Sequence, residues 1–163
     1  MAEQKNARGN ASQFFVAGEL CRRGYSAVVT IGNTPNIDVL CSNVEGTKFV
    51  HIQVKTYDLK KLCCPVSQKA EIDYGANFFW ALCGVPHLDE NCSVEYYIIP
   101  SKEMAVNISK ANQKWVNSPG IRVIQRKNTN MRTVYLPPKC CYGGWNLSEY
   151  QDRWDLIEER LIN

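Results

Sequence analysis

The run Phe78-Phe79-Trp80-Ala81-Leu82 constrains the fold of this chain more than any other stretch. Its five apolar residues do not alternate with polar ones, and this pattern predicts a strand that is buried on both faces. A strand of that kind lies inside a sheet whose two faces are both covered. We therefore expect it to be the central strand of an α/β fold.

The composition is that of one globular domain over residues 1–163. Hydrophobic residues make up 45% of the chain, and a chain of this length buries enough surface to fold without disulfides or a structural metal. The net charge of +3 is only a weak attraction to polyanions. The first residues lack the apolar core of a signal peptide, and no long uncharged apolar run follows, so we expect a cytoplasmic protein with no membrane segment.

The chain has eight cysteines, but no two of them have the short spacing that lets one loop bind zinc. We expect reduced thiols, most of them buried as small hydrophobic residues. The alternative is a cysteine-rich metal or redox protein with a zinc cluster, which elemental analysis would detect. Its ligands would be Cys63, Cys64, Cys140 and Cys141.

The first periodic segment predicts a helix from about Asn10 to Arg23, ended by Gly24. At about 100° per residue its inward face carries Gln13, Val16, Ala17 and Leu20, so Gln13 is the inward polar residue. Glu19 lies off this face and is expected to form ion pairs with Arg22 and Arg23.

Three extended stretches follow, at residues 25–31, 37–44 and 48–56. Glu45-Gly46 predicts a two-residue hairpin loop between the second and third. Counting outward from that loop places Asp38 opposite Gln53, and a strand alternates its faces, so Asp38, Gln53 and Lys55 share one polar face.

The later elements are predicted from the residues that typically begin or end helices and strands. A polar, basic stretch follows Thr56, a strand is predicted at residues 94–99, and Ser101 begins a helix to about Val116. Residues 121–124 and 133–136 predict a last hairpin. Ser148 and Gln151 resemble a capping box for a final helix. The apolar stripe of that helix is Tyr150, Trp154, Ile157 and Leu161.

The order helix, Asp, hairpin, Gln-x-Lys resembles the PD-(D/E)XK nuclease superfamily, in the branch where Gln replaces the second acid. The resemblance is carried by residues 9–20, by Arg23-Gly24-Tyr25, by Asn36-Ile37-Asp38-Val39-Leu40 and by Ile52-Gln53-Val54-Lys55-Thr56. It is similar to small members related to Mrr-type restriction enzymes and Holliday-junction resolvases. It implies one restriction-endonuclease-like domain, with a central mixed β-sheet flanked by helices.

The resemblance also implies a function, namely Mg²⁺- or Mn²⁺-dependent cleavage of DNA. Asp38, the amide oxygen of Gln53 and the main-chain carbonyl of Val54 would hold the metal, and Lys55 would orient or help deprotonate the attacking water. Lys60, Lys61 and Lys69 would contact the phosphate backbone. A homodimer would supply two sites for cutting both strands.

Two residues depart from the pattern of this superfamily. Gln13 aligns with a Glu that the family usually presents to the metal, which leaves Asp38 as the single formal negative charge of the site. Ile37 stands in place of a Pro that supplies no ligand. Gln13 could instead be a cap that reaches toward Asn10, and the chain could be a catalytically degenerate protein of this fold that binds nucleic acid or a protein partner.

Overall fold

The structure is a computed structural model that describes residues 2–30, 35–120 and 126–162. Its helices are α1 (Ala2–Arg22), α2 (Ser101–Asn117) and α3 (Asp155–Ile162). The strands are β1 (Ser26–Val29), β2 (Val39–Ser42), β3 (Phe49–Tyr57), β4 (Cys63–Ser67), β5 (Phe78–Gly84), β6 (Glu95–Pro100) and β7 (Met131–Tyr135), with 3₁₀ turns at Gln68–Glu71 and Ser148–Tyr150. The end of the first predicted strand, part of the turn after it, and the predicted strand at 121–124 lie outside the described residues.

The main sheet has five strands in the order β1-β2-β3-β5-β6. The β3–β5 pair is parallel, and the other neighbours are antiparallel. This confirms the mixed α/β sheet that the sequence predicts. The middle strand, however, is β3, whereas β5 lies between β3 and the edge strand β6, so the prediction that β5 is central was wrong in position.

Every residue of β5 is buried, as its apolar run predicts. Phe78, Trp80 and Leu82 face a core that α2 covers, and the alternating residues Phe79, Ala81 and Cys83 face a second core. The second core lies beneath α1 and α3. Helices thus flank the sheet on both faces.

The β2–β3 hairpin has the predicted register but a different loop. Val39 pairs with Ile52, which places Asp38 opposite Gln53 as counting predicts. The ladder closes with the bond from Asn43 N–H to the Lys48 carbonyl, so the loop has four residues instead of two. The Asn43 side chain accepts bonds from the N–H groups of Thr47 and Lys48, and these bonds stabilise the wider turn.

A small second sheet was missed in the sequence. Here β4 pairs antiparallel with β7, so the partner of β7 in the described residues is β4. Residues 63–67 carry a short alternation in which Cys64 and Val66 are buried. This alternation was hidden in a stretch that looked only polar and basic.

Both terminal helices differ from prediction at their starts. α1 begins at Ala2, because polar residues with good helix propensity extend a helix without adding to an apolar stripe. α3 begins only at Asp155. Ser148 bonds the Asn146 side chain, and Asp152 has a positive φ of 52°, so a helix cannot run through this segment. The predicted capping box was therefore wrong, although Trp154, Ile157 and Leu161 are buried as expected.

Within the described ranges, none of the helices combines the length and apolar character needed to cross a bilayer.

Candidate functional site

Asp38 lies immediately before β2, at the point where the β2–β3 ladder ends. Its backbone is fixed on both sides, since its N–H donates to the Ile52 carbonyl at 2.9 Å and its carbonyl accepts the Thr30 N–H at 3.0 Å. The position of the carboxylate is therefore set by the sheet, although the residue lies outside a regular strand.

The carboxylate of Asp38 accepts a hydrogen bond from β3 at the point where β2 no longer pairs with it. Its Oδ2 accepts the backbone N–H of Val54 at 2.8 Å and a bond from Gln53 Nε2. The N–H and C=O of one strand residue point to the same side, so the Val54 carbonyl faces the same gap beyond the end of β2. Asp38, Gln53 and the Val54 backbone are thus brought together as predicted.

Gln53 is the buried polar side chain of this group, with only 8% of its surface exposed. Trp80 is its neighbour across the β3–β5 ladder, and the indole Nε1 of Trp80 is buried with no hydrogen-bond partner among the described residues. Burial of an amide is costly unless it is bonded, so the bond to Asp38 is what stabilises Gln53 here.

Lys55 lies two residues further along β3, on the same face and half-buried. Among the described residues its ammonium has no ion pair within 4.0 Å. Its charge acts on the neighbouring thiol of Cys64, whose pKa is raised to about 12 mainly by burial, with Lys55 opposing that rise. Lys55 is therefore a cation two residues beyond Gln53 on β3, with no carboxylate of the described chain within 4.0 Å.

On α1 the inward polar residue is Ser12, and not Gln13 as predicted. Ser12 is 1% exposed, and its hydroxyl bonds Thr56 Oγ1 at 2.6 Å and the Gly9 carbonyl at 2.7 Å. Gln13 is half-buried beside it and makes no side-chain hydrogen bond to a described residue, including the predicted cap. The apolar positions around these two residues permit either one to point inward, so periodicity alone could not separate them.

Glu19 is committed to ion pairs near the end of α1. Its carboxylate contacts Arg22 at 2.7 Å and Arg23 at 2.9 Å, and Arg23 also reaches Glu158 of α3 at 3.0 Å. The hydrogen bond from Arg22 is the largest cause that lowers the pKa of Glu19. The predicted ion-pairing role is confirmed.

The three lysines predicted to contact DNA have different surroundings. Lys69 Nζ bonds Asn36 Oδ1 at 3.0 Å, next to the loop that carries Asp38. Lys60 pairs with Glu90 at 2.8 Å and Lys61 with Asp58 at 3.7 Å, at the turn between β3 and β4. Only Lys69 is thus tied directly to the Asp38 loop.

The donors at this point fit a hard divalent cation. A carboxylate, an amide and a main-chain carbonyl supply oxygen ligands of the kind Mg²⁺ and Mn²⁺ take in proteins. The described residues contain no cluster of three or more His, Cys, Asp or Glu side chains. A cation bound at this point would depend on neutral oxygens for most of its protein ligands, and Asp38 would supply the formal charge.

A scan against models of protein families and a search of curated proteins both give no match for this chain. Among solved structures, the bacterial homing endonuclease I-Ssp6803I is 16% identical, covers 94% of this chain and 92% of its own, and superposes with a TM-score of 0.51. The chain has the restriction-endonuclease-like fold.

A second solved structure is Hjc, a Holliday junction resolvase from Archaeoglobus fulgidus. It is 14% identical, covers 78% of this chain and 83% of its own, and has a TM-score of 0.42.

Within this restriction-endonuclease-like fold, sequence reasoning missed the Ser12–Thr56 contact and Trp80 as the neighbour of Gln53. The Ser12 contact had only a weak signal, a small polar residue among apolar ones. Trp80 could have been found only from the β3–β5 register, which no local pattern gives.

Proposed function

We propose that this protein is a nuclease that hydrolyses phosphodiester bonds in DNA with Mg²⁺ or Mn²⁺. The observation that carries the proposal is the bonding of Asp38 to both the Gln53 side chain and the Val54 N–H. These contacts fix a carboxylate beside two further oxygen donors, with Lys55 on the same face. The fold, shared with a homing endonuclease, is compatible with this chemistry.

In the proposed site, Asp38, the Gln53 amide oxygen and the Val54 carbonyl hold the metal. When bound, such a metal supplies neutralisation of charge that develops on the phosphoryl oxygens and activation of a water molecule. Gln53 presents its Nε2 to Asp38 in this structure, so rotation of its amide by half a turn would direct the oxygen to a cation.

Lys55 has the role of positioning the attacking water and offsetting phosphate charge. Its lack of an ion pair in the described chain supports this role, because an ammonium already bound to a carboxylate would be less able to serve a phosphate. Lys69, bonded to Asn36 beside the site, would contact the nearest backbone phosphate. Lys60 and Lys61 would contact phosphates further along the same strand of DNA.

A homodimer would place two sites on a duplex.

The test is a cleavage assay on linear, supercoiled and branched DNA with and without divalent metal. We expect metal-dependent nicking or cutting, and a loss of at least about 100-fold in rate for Lys55→Ala. Lys48→Ala is the matched control, since this half-buried lysine lies just before the opposite end of β3, about 20 Å away along the strand. Undiminished cutting by Lys55→Ala would overturn the role of Lys55.

One observation favours a second function, a catalytically degenerate protein that binds DNA without cutting it. Among the described residues assigned to the site, Asp38 is the single carboxylate, and Gln13 aligns with the Glu that the superfamily usually presents from its first helix. A cation is held less tightly by one formal charge than by two or three. DNA that is bound by the wild-type protein but left intact at millimolar Mg²⁺ and Mn²⁺ would support this function and reject the nuclease.

A further inference from the structure

The positive charge of this protein is concentrated in one segment. Between Glu103 and Glu149 the sequence contains no Asp or Glu, although basic residues recur throughout. The basic residues of this segment are Lys110, Lys114, Arg122, Arg126, Lys127, Arg132 and Lys139. Arg122 lies outside the described residues, and Arg132 is buried in an ion pair with Glu71 at 2.6 Å. Lys110, Lys114, Lys127 and Lys139 are exposed, and Arg126 is half-buried.

Arg126 is held by aromatic groups instead of by an acid. Its guanidinium lies 5.0 Å from the ring centre of Trp115 and 5.5 Å from that of Tyr142. Its Nη1 also donates to the Trp115 carbonyl and the Tyr142 hydroxyl, each at 3.3 Å. These contacts orient the guanidinium while leaving its full charge available to an anion.

Lys110 and Lys114 extend this cationic group along the exposed side of α2, one turn apart. The Lys114 side chain packs on the loop after Tyr142, since a methyl group on Gly143 would come within 3.3 Å of Lys114 Cδ and 3.8 Å of Nζ. Both lysines line a groove of about 350 Å³ with Gln113 and the Gly143-Gly144 turn. Asn107 closes the groove at one end, where it bonds Glu103.

Lys110 and Lys114 of this groove, and Arg126, which bonds the groove residue Tyr142, are not neutralised by the described part of the chain. Lys60, Lys61, Arg22, Arg23, Arg132 and Arg153 all pair with carboxylates, whereas Lys110, Lys114 and Arg126 have none within 4.0 Å among the described residues. Unpaired cations that share a groove repel one another, and bound anions relieve that repulsion.

One hydrogen bond links the basic segment to the turn between β3 and β4. Lys139, three residues before Tyr142, donates to the Lys61 carbonyl at 3.1 Å, and Lys61 follows the end of β3. Lys139 thus joins the segment that carries Tyr142 to the turn that follows the strand of Lys55. Tyr142, 39% exposed, adds an aromatic ring on which a base or sugar can pack.

We propose that Lys110, Lys114 and Arg126 form a second nucleic-acid contact surface that binds backbone phosphates away from the cleavage site. The choice of DNA over other polyanions rests on the proposed function, but no residue of the candidate metal site takes part. The surface lengthens the footprint of the protein on DNA and increases its affinity without regard to sequence.

The test is DNA binding without metal, measured by fluorescence anisotropy in EDTA with labelled duplex and single-stranded oligonucleotides over a range of salt concentrations. The variant is K110Q/K114Q, whose two exposed side chains are not needed for the core. We expect weaker binding and a salt slope of log K against log [salt] reduced by about 2, as for two lost phosphate contacts. K48Q/R160Q removes the same charge from another groove and should match the wild type.

An unchanged affinity and slope in K110Q/K114Q would overturn the proposal, as would an equal loss in K48Q/R160Q, which would indicate a net-charge effect alone. The two proposals fail separately. If the wild type cuts DNA but K110Q/K114Q binds normally, only this surface is rejected; if K110Q/K114Q binds weakly but the wild type cuts nothing, only the nuclease is rejected.

Discussion

Asp38 combines a structural and a chemical role at the scale of the single residue. Its carboxylate accepts a hydrogen bond from the Val54 N–H, which β2 is too short to reach. The same carboxylate would supply the negative charge of the candidate site. Removal of the acceptor would leave a buried N–H unpaired, at a cost of about 1–3 kcal/mol. Asn is therefore the better substitution, because its amide oxygen preserves the acceptor while the charge is lost.

Titration calorimetry with Mg²⁺ and Mn²⁺ tests the charge of this residue. We expect saturable binding by the wild type and a loss of at least about tenfold in affinity for Asp38→Asn, since the formal charge of the site is removed. Absence of binding by the wild type up to millimolar metal would contradict the nuclease and favour the degenerate protein.

The sequence predicted the contacts of β2 and β3 better than those of α1. A strand alternates strictly, so the facing of Asp38 and Gln53 followed from one register, and even the wrong loop length preserved it. A helix turns by about 100° per residue, and a wide apolar stripe tolerates an error of one position. That tolerance is why Gln13 was predicted inward where Ser12 is found.

At the scale of the element, β3 and β5 are held together at their ends by the close approach of Tyr57 to Gly84. These residues are paired in the parallel ladder, and Tyr57 donates its hydroxyl to Glu95 at 2.8 Å. A methyl group on Gly84 would lie 2.6 Å from the Tyr57 ring and from Leu59. The absence of a side chain at Gly84 thus permits the packing of the ring.

We expect Gly84→Ala to lower the free energy of unfolding by about 1–3 kcal/mol, because the Tyr57 ring is fixed by its bond to Glu95 and cannot move away cheaply. Gly18→Ala is the matched control. It lies in the exposed middle of α1 with nothing within 4 Å of an added Cβ, and should raise the stability by about 0.5–1 kcal/mol. Urea denaturation of both variants measures the difference, and a neutral Gly84→Ala would contradict it.

Elements bounded by residues that typically begin or end a helix were predicted well. Pro100 and Ser101 begin α2, and the helix ends at Asn117, just before Pro119. The start of α3 was wrong because Gln151 pairs with Tyr97 and Asp152 donates to the Tyr96 carbonyl, long-range contacts that override a local capping signal. The pairing of β4 with β7 was likewise out of reach of local pattern, since more than 60 residues separate the two strands.

At the scale of the whole molecule, the cysteines are divided between core and surface. Cys41, Cys64, Cys83 and Cys141 are buried, while Cys21, Cys92 and Cys140 are exposed and Cys63 is intermediate. Burial raises the pKa of Cys41, Cys64 and Cys83 to about 12 and that of Cys141 in the same direction. The expectation of buried cysteines is thus confirmed for half of them.

Thiol titration with a disulfide reagent at pH 8 should therefore give three fast reactions, a slower fourth from Cys63, and four thiols that react only after denaturation. The four buried thiols should stay unreactive in the folded protein at this pH, because burial raises the pKa of each and so disfavours the reactive thiolate. More than four fast thiols in the folded protein would contradict the packing of both cores.

The uneven distribution of charged residues along the chain favours a permanent electric dipole. The stretch between Glu103 and Glu149 carries basic residues and no acidic ones, and the remainder of the chain has more acids than bases. In the field of a polyanion such a particle experiences a torque before it makes any contact, and it arrives cationic side first. This distribution of charge favours rapid and oriented association with a polyanion at low ionic strength. The association rate falls as added salt screens the field.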